Sequence, residues 1–446
     1  MKTVLSHMGR RQFLIGSMAS ASAMAFTNLI KGKGLAAASE NRGAVSSQGG
    51  SGKYSHLLSP LNIRNKVVKN RILYTISTPY FLMGPETYPA DVIRTYYSDI
   101  AKSAAIVLVR MSTDMGGASA GRQQTGYSAQ MPAWNGDDPR VHNYIDQMIE
   151  GVHCEGALVG GVSIGGSMGG GPGRGGESLT IEQIVTQAKE AEDKGYDVAY
   201  VGTREAKNTE DLKPIIEKME AVRKATNLII LAWILPGIPG ISHGLGQGMG
   251  MPMGMGQGQG QGPGQGQQGQ AQGTGQGQGQ MPAQAQGQQG GSSAPSVEEV
   301  VKMAKMLEGV ADIIQMRDAG RYTSHPNSFN QERSKPSMLN CSRAIKESGI
   351  KIITAPNGGF NDPDLNEEFI ASGKTDMVAM ARALIADPEY ALKLSEGRGK
   401  DVTPCVMCNE CHGTSSTSGP WLTFCAVNPK LGLPSSVRSI RPPAMS

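Results

Sequence analysis

Four of the six cysteines in this 446-residue chain lie within one short segment near its C-terminus. Cys405, Cys408 and Cys411 form a Cys-x-x-Cys-x-x-Cys pattern, and Cys425 follows after thirteen further residues. Thiolates are soft ligands, and four of them at this spacing can converge on an iron–sulfur cluster or on one zinc ion. The cluster is our preferred interpretation, and zinc or disulfide bonds are the alternatives.

A second candidate site, for a phosphate, lies after the last two apolar runs of the chain. The segment 355–363 contains the pair Gly358-Gly359, whose backbone amides can approach an anion closely, and then Asn361-Asp-Pro, which begins a predicted helix. Arg382 follows the next apolar run and offers a guanidinium for bidentate contact. A tight turn and a surface ion pair are the alternative interpretations, but the combination predicts a phosphate site.

The sequence around these residues contains eight predicted strand–helix units. The predicted strands are short, β-branched and nearly continuous apolar runs, as expected for strands buried on both faces: Ile72–Ile76, Ile106–Val109, Leu158–Ile164, Val198–Val201, Leu228–Ile234, Ile313–Met316, Ile350–Thr354 and Met377–Met380. Amphipathic stretches separate them, and helix starts are predicted at Thr180, Ser296 and Asn361-Asp362-Pro363. The pattern predicts a (β/α)₈ barrel. An open doubly wound sheet is the alternative, but no glycine-rich fingerprint follows the first run.

The N-terminus is typical of an exported protein. Gly9-Arg10-Arg11-Gln12-Phe13-Leu14 precedes an apolar stretch, and Ala36-Ala37-Ala38 offers a cleavage site. We predict a twin-arginine signal peptide over residues 1–38, followed by a linker over 39–52, and a periplasmic location; an ordinary secretory signal is the alternative. Removing the five basic residues of this leader lowers the formal net charge from +4 to −1. Nucleic acid is therefore not an expected partner, and no other run is long enough to span a membrane.

One internal segment, residues 244–293, consists mainly of Gly, Gln, Met, Pro and Ala. Such a composition cannot bury enough surface to offset its chain entropy, which predicts disorder. The segment follows the fifth predicted strand, on the functional face of a barrel. We favour an insertion without a role, because long surface insertions cost little; a flexible tether or cover is the alternative.

Two sets of motifs resemble the old yellow enzyme superfamily, in particular its iron–sulfur branch with 2,4-dienoyl-CoA reductase and trimethylamine dehydrogenase. The first set, at the N-terminal side, is Leu58-Ser-Pro-Leu-Asn-Ile-Arg-Asn-Lys-Val-Val-Lys-Asn-Arg-Ile72. The second runs through Gly358-Gly-Phe-Asn-Asp-Pro363, Gly373-Lys-Thr-Asp-Met-Val-Ala-Met-Ala-Arg382, the cysteine pattern and Cys425-Ala-Val-Asn-Pro429.

This resemblance implies a flavin-dependent oxidoreductase with an FMN-type barrel over residues 53–400 and a cluster-binding extension over 401–446. The FMN phosphate would be held by Gly358, Gly359, Ala381 and Arg382. Thr75, Ser77 and Thr78 would lie against the flavin ring. The four cysteines would hold a [4Fe–4S] cluster that exchanges electrons with the flavin.

The middle of the barrel departs from the family pattern. A glycine, Gly161, stands near the position of the usual strand-three glutamine, Val201–Glu205 lacks the usual histidine, and Leu231–Ile234 lacks the usual arginine. Arg317, Tyr322 and His325 after the sixth strand are weak replacement candidates, with solvated loop residues as the alternative, and the catalytic acid is unknown.

The chain has too few residues after Pro429 for the FAD- and NAD(P)-binding domains of larger relatives. We therefore expect electrons to be exchanged with a partner protein through the cluster. The predicted function is an exported FMN- and [4Fe–4S]-dependent oxidoreductase that reduces an enone or alkene or oxidises an amine. The alternative is a degenerate barrel without flavin chemistry that serves as a binding or electron-relay subunit.

Overall fold

The structure is a computed structural model of the 446-residue chain. It describes residues 52–75, 91–109, 139–164, 179–201, 203, 206–237, 294–317, 338–408, 411 and 425–433. The predicted signal peptide, most of the linker and the Gly/Gln-rich segment 244–293 lie outside these residues. No helix in the described part of the chain is both long and apolar enough to cross a bilayer.

Eight parallel strands form a closed barrel, which confirms the predicted (β/α)₈ fold. The strand core residues are almost all buried, because the barrel interior covers one face of each strand and the surrounding helices cover the other. Each strand pairs with its sequence neighbour, and the last pairs with the first. Two short strands of a hairpin, β1 (Leu61–Ile63) and β2 (Lys66–Val68), come before the barrel in the chain, so the numbering of the barrel strands starts at three. The barrel strands are β3 (Ile72–Tyr74), β4 (Ile106–Leu108), β5 (Leu158–Ile164), β6 (Val198–Val201), β7 (Ile229–Ile234), β8 (Ile313–Arg317), β9 (Ile353–Asn357) and β10 (Val378–Met380).

The helices lie outside the barrel and alternate with its strands. They are α1 (Asp91–Ser103), α2 (Pro139–Cys154), α3 (Ile181–Asp193), α4 (Thr209–Ala225), α5 (Val297–Leu307), α6 (Leu339–Glu347), α7 (Pro363–Ala371), α8 (Arg382–Ala386) and α9 (Tyr390–Ser395). The predicted start signals are confirmed: Thr180 forms a capping box with Gln183, Ser296 caps α5, and Asp362 caps α7 ahead of Pro363.

Apart from shifts of one or two residues at strand ends, three details differ from the sequence prediction. A hairpin of β1 (Leu61–Ile63) and β2 (Lys66–Val68) precedes the barrel, and its buried Ile63 and Val68 join the apolar barrel interior. The short helix α8 was also not predicted. The seventh barrel strand covers Ile353–Asn357 and not Ile350–Thr354, because the backbone of Lys351 is bound by the Glu308 carboxylate outside the sheet.

Charged residues close the N-terminal end of the barrel. Three aspartates just before β6, β8 and β10 each accept a backbone N–H from the preceding strand and an ion pair from a basic side chain. These groups are Asp197 with Val159 N and Lys66, Asp312 with Ile230 N and Arg223, and Asp376 with Thr354 N and Lys346. Burial alone would raise the pKa of Asp197, but the bonds from His153, Lys66 and Val159 outweigh it and lower the pKa. This end is therefore built for stability, which leaves the C-terminal end for function.

Lys69 gives this end a testable pH dependence. Its ammonium donates to the carbonyls of Ala101 at 2.6 Å and Glu155 at 2.7 Å, near the C-termini of α1 and α2. Burial lowers the pKa of Lys69 from 10.5 to about 8. Between these two values the unfolded chain binds more protons than the folded chain, so stability rises with pH. Lys69 alone should add about 2 kcal/mol to the unfolding free energy between about pH 7.5 and 9.5.

Urea unfolding of the wild type and of Lys69→Met across this pH range measures the effect. Subtracting the two curves removes the contribution of other titrating groups, such as the buried tyrosines. We expect the difference to change by about 2 kcal/mol. Parallel curves would show that Lys69 keeps its ordinary pKa.

Candidate functional site

The turn after β9 presents donor groups at the C-terminal rim of the barrel. Gly358 and Gly359 both have left-handed backbones, with φ of 112° and 86°, which a side chain at either position would strain. Asn361 closes the turn by donating its N–H to the Gly359 carbonyl. The side-chain Nδ2 of Asn361 is a buried donor without an acceptor among the described residues. This amide is a donor that an anion at the turn could use.

Arg382 is the first residue of α8, which follows β10. The preceding residue, Ala381, stands at the N-cap and has no side-chain oxygen to cap the first-turn amides. Arg382 itself is partly exposed. Because β9 and β10 are neighbours in the barrel, through the pair Ala379 and Asn357, both predicted phosphate-binding segments leave the same edge. The structure therefore places all four predicted phosphate residues, Gly358, Gly359, Ala381 and Arg382, on adjacent strand ends.

The cysteine segment is anchored to the α8–α9 corner. The Asp387 carboxylate accepts the backbone N–H of Thr403 at 2.8 Å and an ion pair from Lys393 at 2.7 Å. Further along, Asn428 Nδ2 donates to the Ile385 carbonyl at 2.8 Å. Both the start and the end of the segment are thus fixed to the helix that begins at Arg382.

The four cysteines lie on this anchored segment. Cys411 is 6% exposed and belongs to the core between the barrel and its helices, and Cys425 packs against that core. The backbone N–H of Met407 donates to Cys405 Sγ at 3.4 Å. Met407 itself has a left-handed backbone, with φ of 56°. Cysteine loops that bind metal centres use such N–H to sulfur bonds to stabilise thiolates.

Electrostatics link the four thiols with Arg382. Burial raises the pKa of Cys405, and it raises that of Cys411 to about 12. The other cysteines raise both pKa values further, whereas the positive charge of Arg382 opposes the increase. Both thiols thus experience the charge of Arg382, the predicted phosphate ligand.

No three His, Cys, Asp or Glu side chains in the described ranges are grouped to hold one metal ion. A single zinc ion needs its four sulfurs at about 2.3 Å from one centre. An all-thiolate ligand set of this kind suits either a zinc ion or an iron–sulfur cluster.

Three polar side chains are hydrogen-bonded to one another inside the barrel, below the rim. Thr75, immediately after β3, is 6% exposed, and its Oγ1 accepts a hydrogen bond from Gln315 Nε2 at 2.9 Å. Asn357 Nδ2 donates to the same oxygen at 3.3 Å. Thr75 was predicted to lie against a flavin, but Gln315 and Asn357 were missed. The one available signal was a glutamine within the apolar run Ile313–Met316.

Arg317 is the best placed of the three weak catalytic candidates. It ends β8, two residues after the inward-facing Gln315, and pairs in register with Asn357. Alternation along a strand therefore directs Arg317 to the interior side at the mouth. The other two candidates, Tyr322 and His325, lie outside the described residues, as do the predicted flavin contacts Ser77 and Thr78.

The altered middle strands have their own structural explanation. Gly161 interrupts the pairing of β5 with β6, and Trp233 of β7 packs edge-on against Tyr200 inside the barrel, with ring centres 5.6 Å apart. At the end of β6, the Thr203 hydroxyl donates to the Trp233 carbonyl and accepts its N–H, at 3.0 and 2.6 Å. Thr203 is thus committed to holding β7 and cannot replace a substrate-binding histidine.

Comparison with known proteins finds a sequence match for the last three strands of the barrel, β8 to β10. Residues 283–401 match the NADH:flavin oxidoreductase / NADH oxidase family. The NADH oxidase of Thermoanaerobacter brockii is 35% identical over 140 residues, which are 31% of this chain and 21% of the relative. The cinnamate reductase of Clostridium sporogenes is 34% identical over 142 residues, which are 30% of this chain and 20% of the relative.

A solved structure, the histamine dehydrogenase from Rhizobium sp. 4-9, superposes with a TM-score of 0.57. It is 15% identical and the match covers 85% of this chain and 53% of that one, so the likeness shows the fold. The matches span only about a fifth of the curated relatives. The matched segment contains Gly358, Gly359 and Arg382, and ends just before the cysteines. Over residues 283–401 the chain is similar in sequence to the NADH:flavin oxidoreductase / NADH oxidase family, and its barrel is similar in fold to the solved structure.

Proposed function

We propose that this protein is an FMN-dependent oxidoreductase whose barrel mouth holds the flavin by its phosphate. The observation that carries this proposal is the set of donors on adjacent strand ends. They are the Gly358-Gly359 turn, the Asn361 amide, which has no acceptor among the described residues, and the Arg382 guanidinium. All of them favour an anion, and the rim after the last two strands is where (β/α)₈ barrels commonly bind phosphate. The match of residues 283–401 to a flavin oxidoreductase family supports FMN as the ligand.

The cysteine segment is proposed to hold a [4Fe–4S] cluster through Cys405, Cys408, Cys411 and Cys425. Its anchoring to α8 brings the thiols close to Arg382 and therefore close to the proposed phosphate site. When bound, the flavin would exchange a hydride or single electrons with a substrate, and the cluster would exchange single electrons with the flavin. The protein residues supply the anion site, a buried and water-poor interior below it, and the positive charge of Arg317 at the mouth.

The substrate class is proposed to be a small alkene conjugated to a carbonyl group, or an amine. The first follows the cinnamate reductase relative, and the second follows the histamine dehydrogenase fold. Electrons are proposed to pass to or from a partner protein through the cluster, outside the cytoplasmic membrane after twin-arginine export. A binding or relay subunit without flavin chemistry is the second candidate, because Gly161, Thr203 and Trp233 leave the middle strands without the family's usual side chains.

Substitution Arg382→Ala tests the phosphate site. Loss of a charge-assisted contact of about 1.5–3 kcal/mol should weaken FMN binding about 10- to 100-fold. Riboflavin, which lacks the phosphate, should bind the wild type and the variant equally. Fluorescence titration of flavin-free protein with both ligands measures this difference.

The control variant is Arg398→Ala. It removes an exposed arginine that forms an ion pair with Glu396, shortly after α9. It should leave FMN affinity unchanged. Equal FMN affinity in the wild type and in Arg382→Ala would place the phosphate elsewhere.

A further inference from the structure

Residues 53–57, which we call the strap, attach the N-terminal side of the barrel to helix α7. The Glu367 carboxylate of α7 accepts the backbone N–H of His56 at 2.9 Å and that of Leu57 at 2.7 Å. The ring Nδ1 of His56 lies 2.7 Å from the same carboxylate. Leu57 is fully buried, and its carbonyl accepts the backbone N–H of Arg71 at 2.9 Å, just before β3. The strap is therefore fixed to the barrel on one side and to α7 on the other.

A second carboxylate holds the strap at the first turn of α7. Asp364 accepts the hydroxyl proton of Tyr54 at 2.7 Å and pairs with the Lys53 ammonium at 2.6 Å. The pair with Lys53 is exposed on both sides and contributes little. Tyr54 is 7% exposed and the Glu367 side chain 13% exposed, so their hydrogen bonds are largely shielded from water. Bonds to a charged acceptor are also stronger than bonds between neutral groups, so these contacts provide most of the attachment.

Helix α7 in turn supports the proposed phosphate turn. Asp362 ends that turn and caps α7 by accepting the backbone N–H of Asp364 at 2.8 Å. Phe360 of the turn packs edge-on against Phe369 of α7, with ring centres 6.3 Å apart. A helix of nine residues is too short to be stable alone, so its position depends on the groups packed around it. A displaced first turn of α7 would therefore displace the donors of residues 358–361.

We propose that Glu367 is a positioning residue through which the strap holds the phosphate turn in its binding geometry. This inference rests on the proposed function. An anion is bound most tightly when its donors are already in place, because ordering them on binding costs affinity. Glu367 is itself negatively charged and engaged with the strap, so it acts through α7 and does not contact the phosphate. By thermodynamic reciprocity, a bound phosphate must in turn stabilise the attachment of the strap.

Substitution Glu367→Gln tests this role. The amide keeps the size of the side chain but has a single acceptor oxygen, whereas the N–H groups of His56 and Leu57 bind different carboxylate oxygens. One of the two backbone bonds is therefore lost. FMN binding should weaken about 3- to 10-fold, because the binding-competent state of the turn is no longer fully populated. Riboflavin, which lacks the phosphate, should bind the variant and the wild type equally in fluorescence titrations of flavin-free protein.

Glu368→Gln is the matched control, because it makes the same change at the next residue of α7. Glu368 is exposed, and its carboxylate pairs with Lys374 just after the helix, at 3.0 Å. The control should leave the affinities for FMN and riboflavin unchanged. Equal weakening of FMN and riboflavin binding in Glu367→Gln, or no change in either, would overturn the positioning role while FMN binding stands.

Hydrogen–deuterium exchange of the wild-type protein gives the reciprocal measurement, and it decides the matter if Glu367→Gln does not fold. Saturating FMN should slow exchange of the His56 and Leu57 amides about 3- to 10-fold relative to saturating riboflavin. Equal exchange with the two ligands would overturn the coupling. Wild-type protein that binds no FMN would overturn the proposed function and this inference together.

Discussion

Cys411→Ser is expected to remove the iron centre, whereas Cys341→Ser is expected to retain it. A [4Fe–4S] cluster contributes about four iron atoms per chain and is held by cysteine thiolates. Replacing one thiolate with a hydroxyl should reduce iron and acid-labile sulfide to a small fraction of the wild-type content. The broad visible absorption of the cluster should fall in proportion.

Cys341 is the matched control because it is also a buried thiol. It lies on α6 and is 2% exposed, compared with 6% for Cys411, and burial raises its pKa to about 11. Both substitutions place a hydroxyl where a buried thiol was, so both carry a similar structural cost. Iron that is retained in Cys411→Ser, or lost equally from both variants, would contradict the proposed ligand set.

Gly161→Ala is expected to lower the free energy of unfolding by about 4 kcal/mol or more. Gly161 has φ of +104°, and a Cβ there would lie 2.0 Å from the Val109 carbonyl oxygen. The N–H of the same residue, directly after β4, donates to the Gly160 carbonyl at 2.8 Å, which holds this backbone against β5. The substitution therefore combines backbone strain with an overlap that the structure cannot relieve.

Gly309→Ala separates these two costs. Gly309 also has a left-handed backbone, with φ of +83°, but nothing lies within 4 Å of its added Cβ. Its substitution should cost only the strain of about 1–2 kcal/mol. Urea unfolding of both variants gives the comparison, and losses of equal size would show that the bulge at Gly161 is absent. The resembled family carries a glutamine near this position of strand three. At Gly161 the Val109 backbone fills the space that a side chain would need.

The barrel was predictable from sequence because its strands are continuous apolar runs between amphipathic helices. Helix starts were predictable where a capping side chain acts on its own neighbours, as Thr180 and Asp362 do. The position of β9 could not be predicted from the sequence. Ile350 and Ile352 are buried in the outer layer and imitate a strand, while an ion-paired carboxylate, Glu308, holds the Lys351 backbone outside the sheet.

The candidate site was predictable only where it depends on local motifs. The glycine pair, Arg382 and the cysteines are read from contiguous segments, and the structure brings these segments together at α8. The Thr75–Gln315–Asn357 group required side chains from three parts of the barrel, up to 282 residues apart in sequence, to meet on one atom. No local pattern encodes that meeting, because it arises from the closure of the barrel.

FMN at the barrel mouth, beside an iron–sulfur centre, is the central claim. Its most direct test is to purify the full chain anaerobically from a host that exports it, denature it, and identify and quantify the released flavin. We expect about one FMN per chain, released from protein whose absorption combines a flavin band with a broad cluster band. Protein with iron but without flavin would contradict the claim and favour a relay subunit.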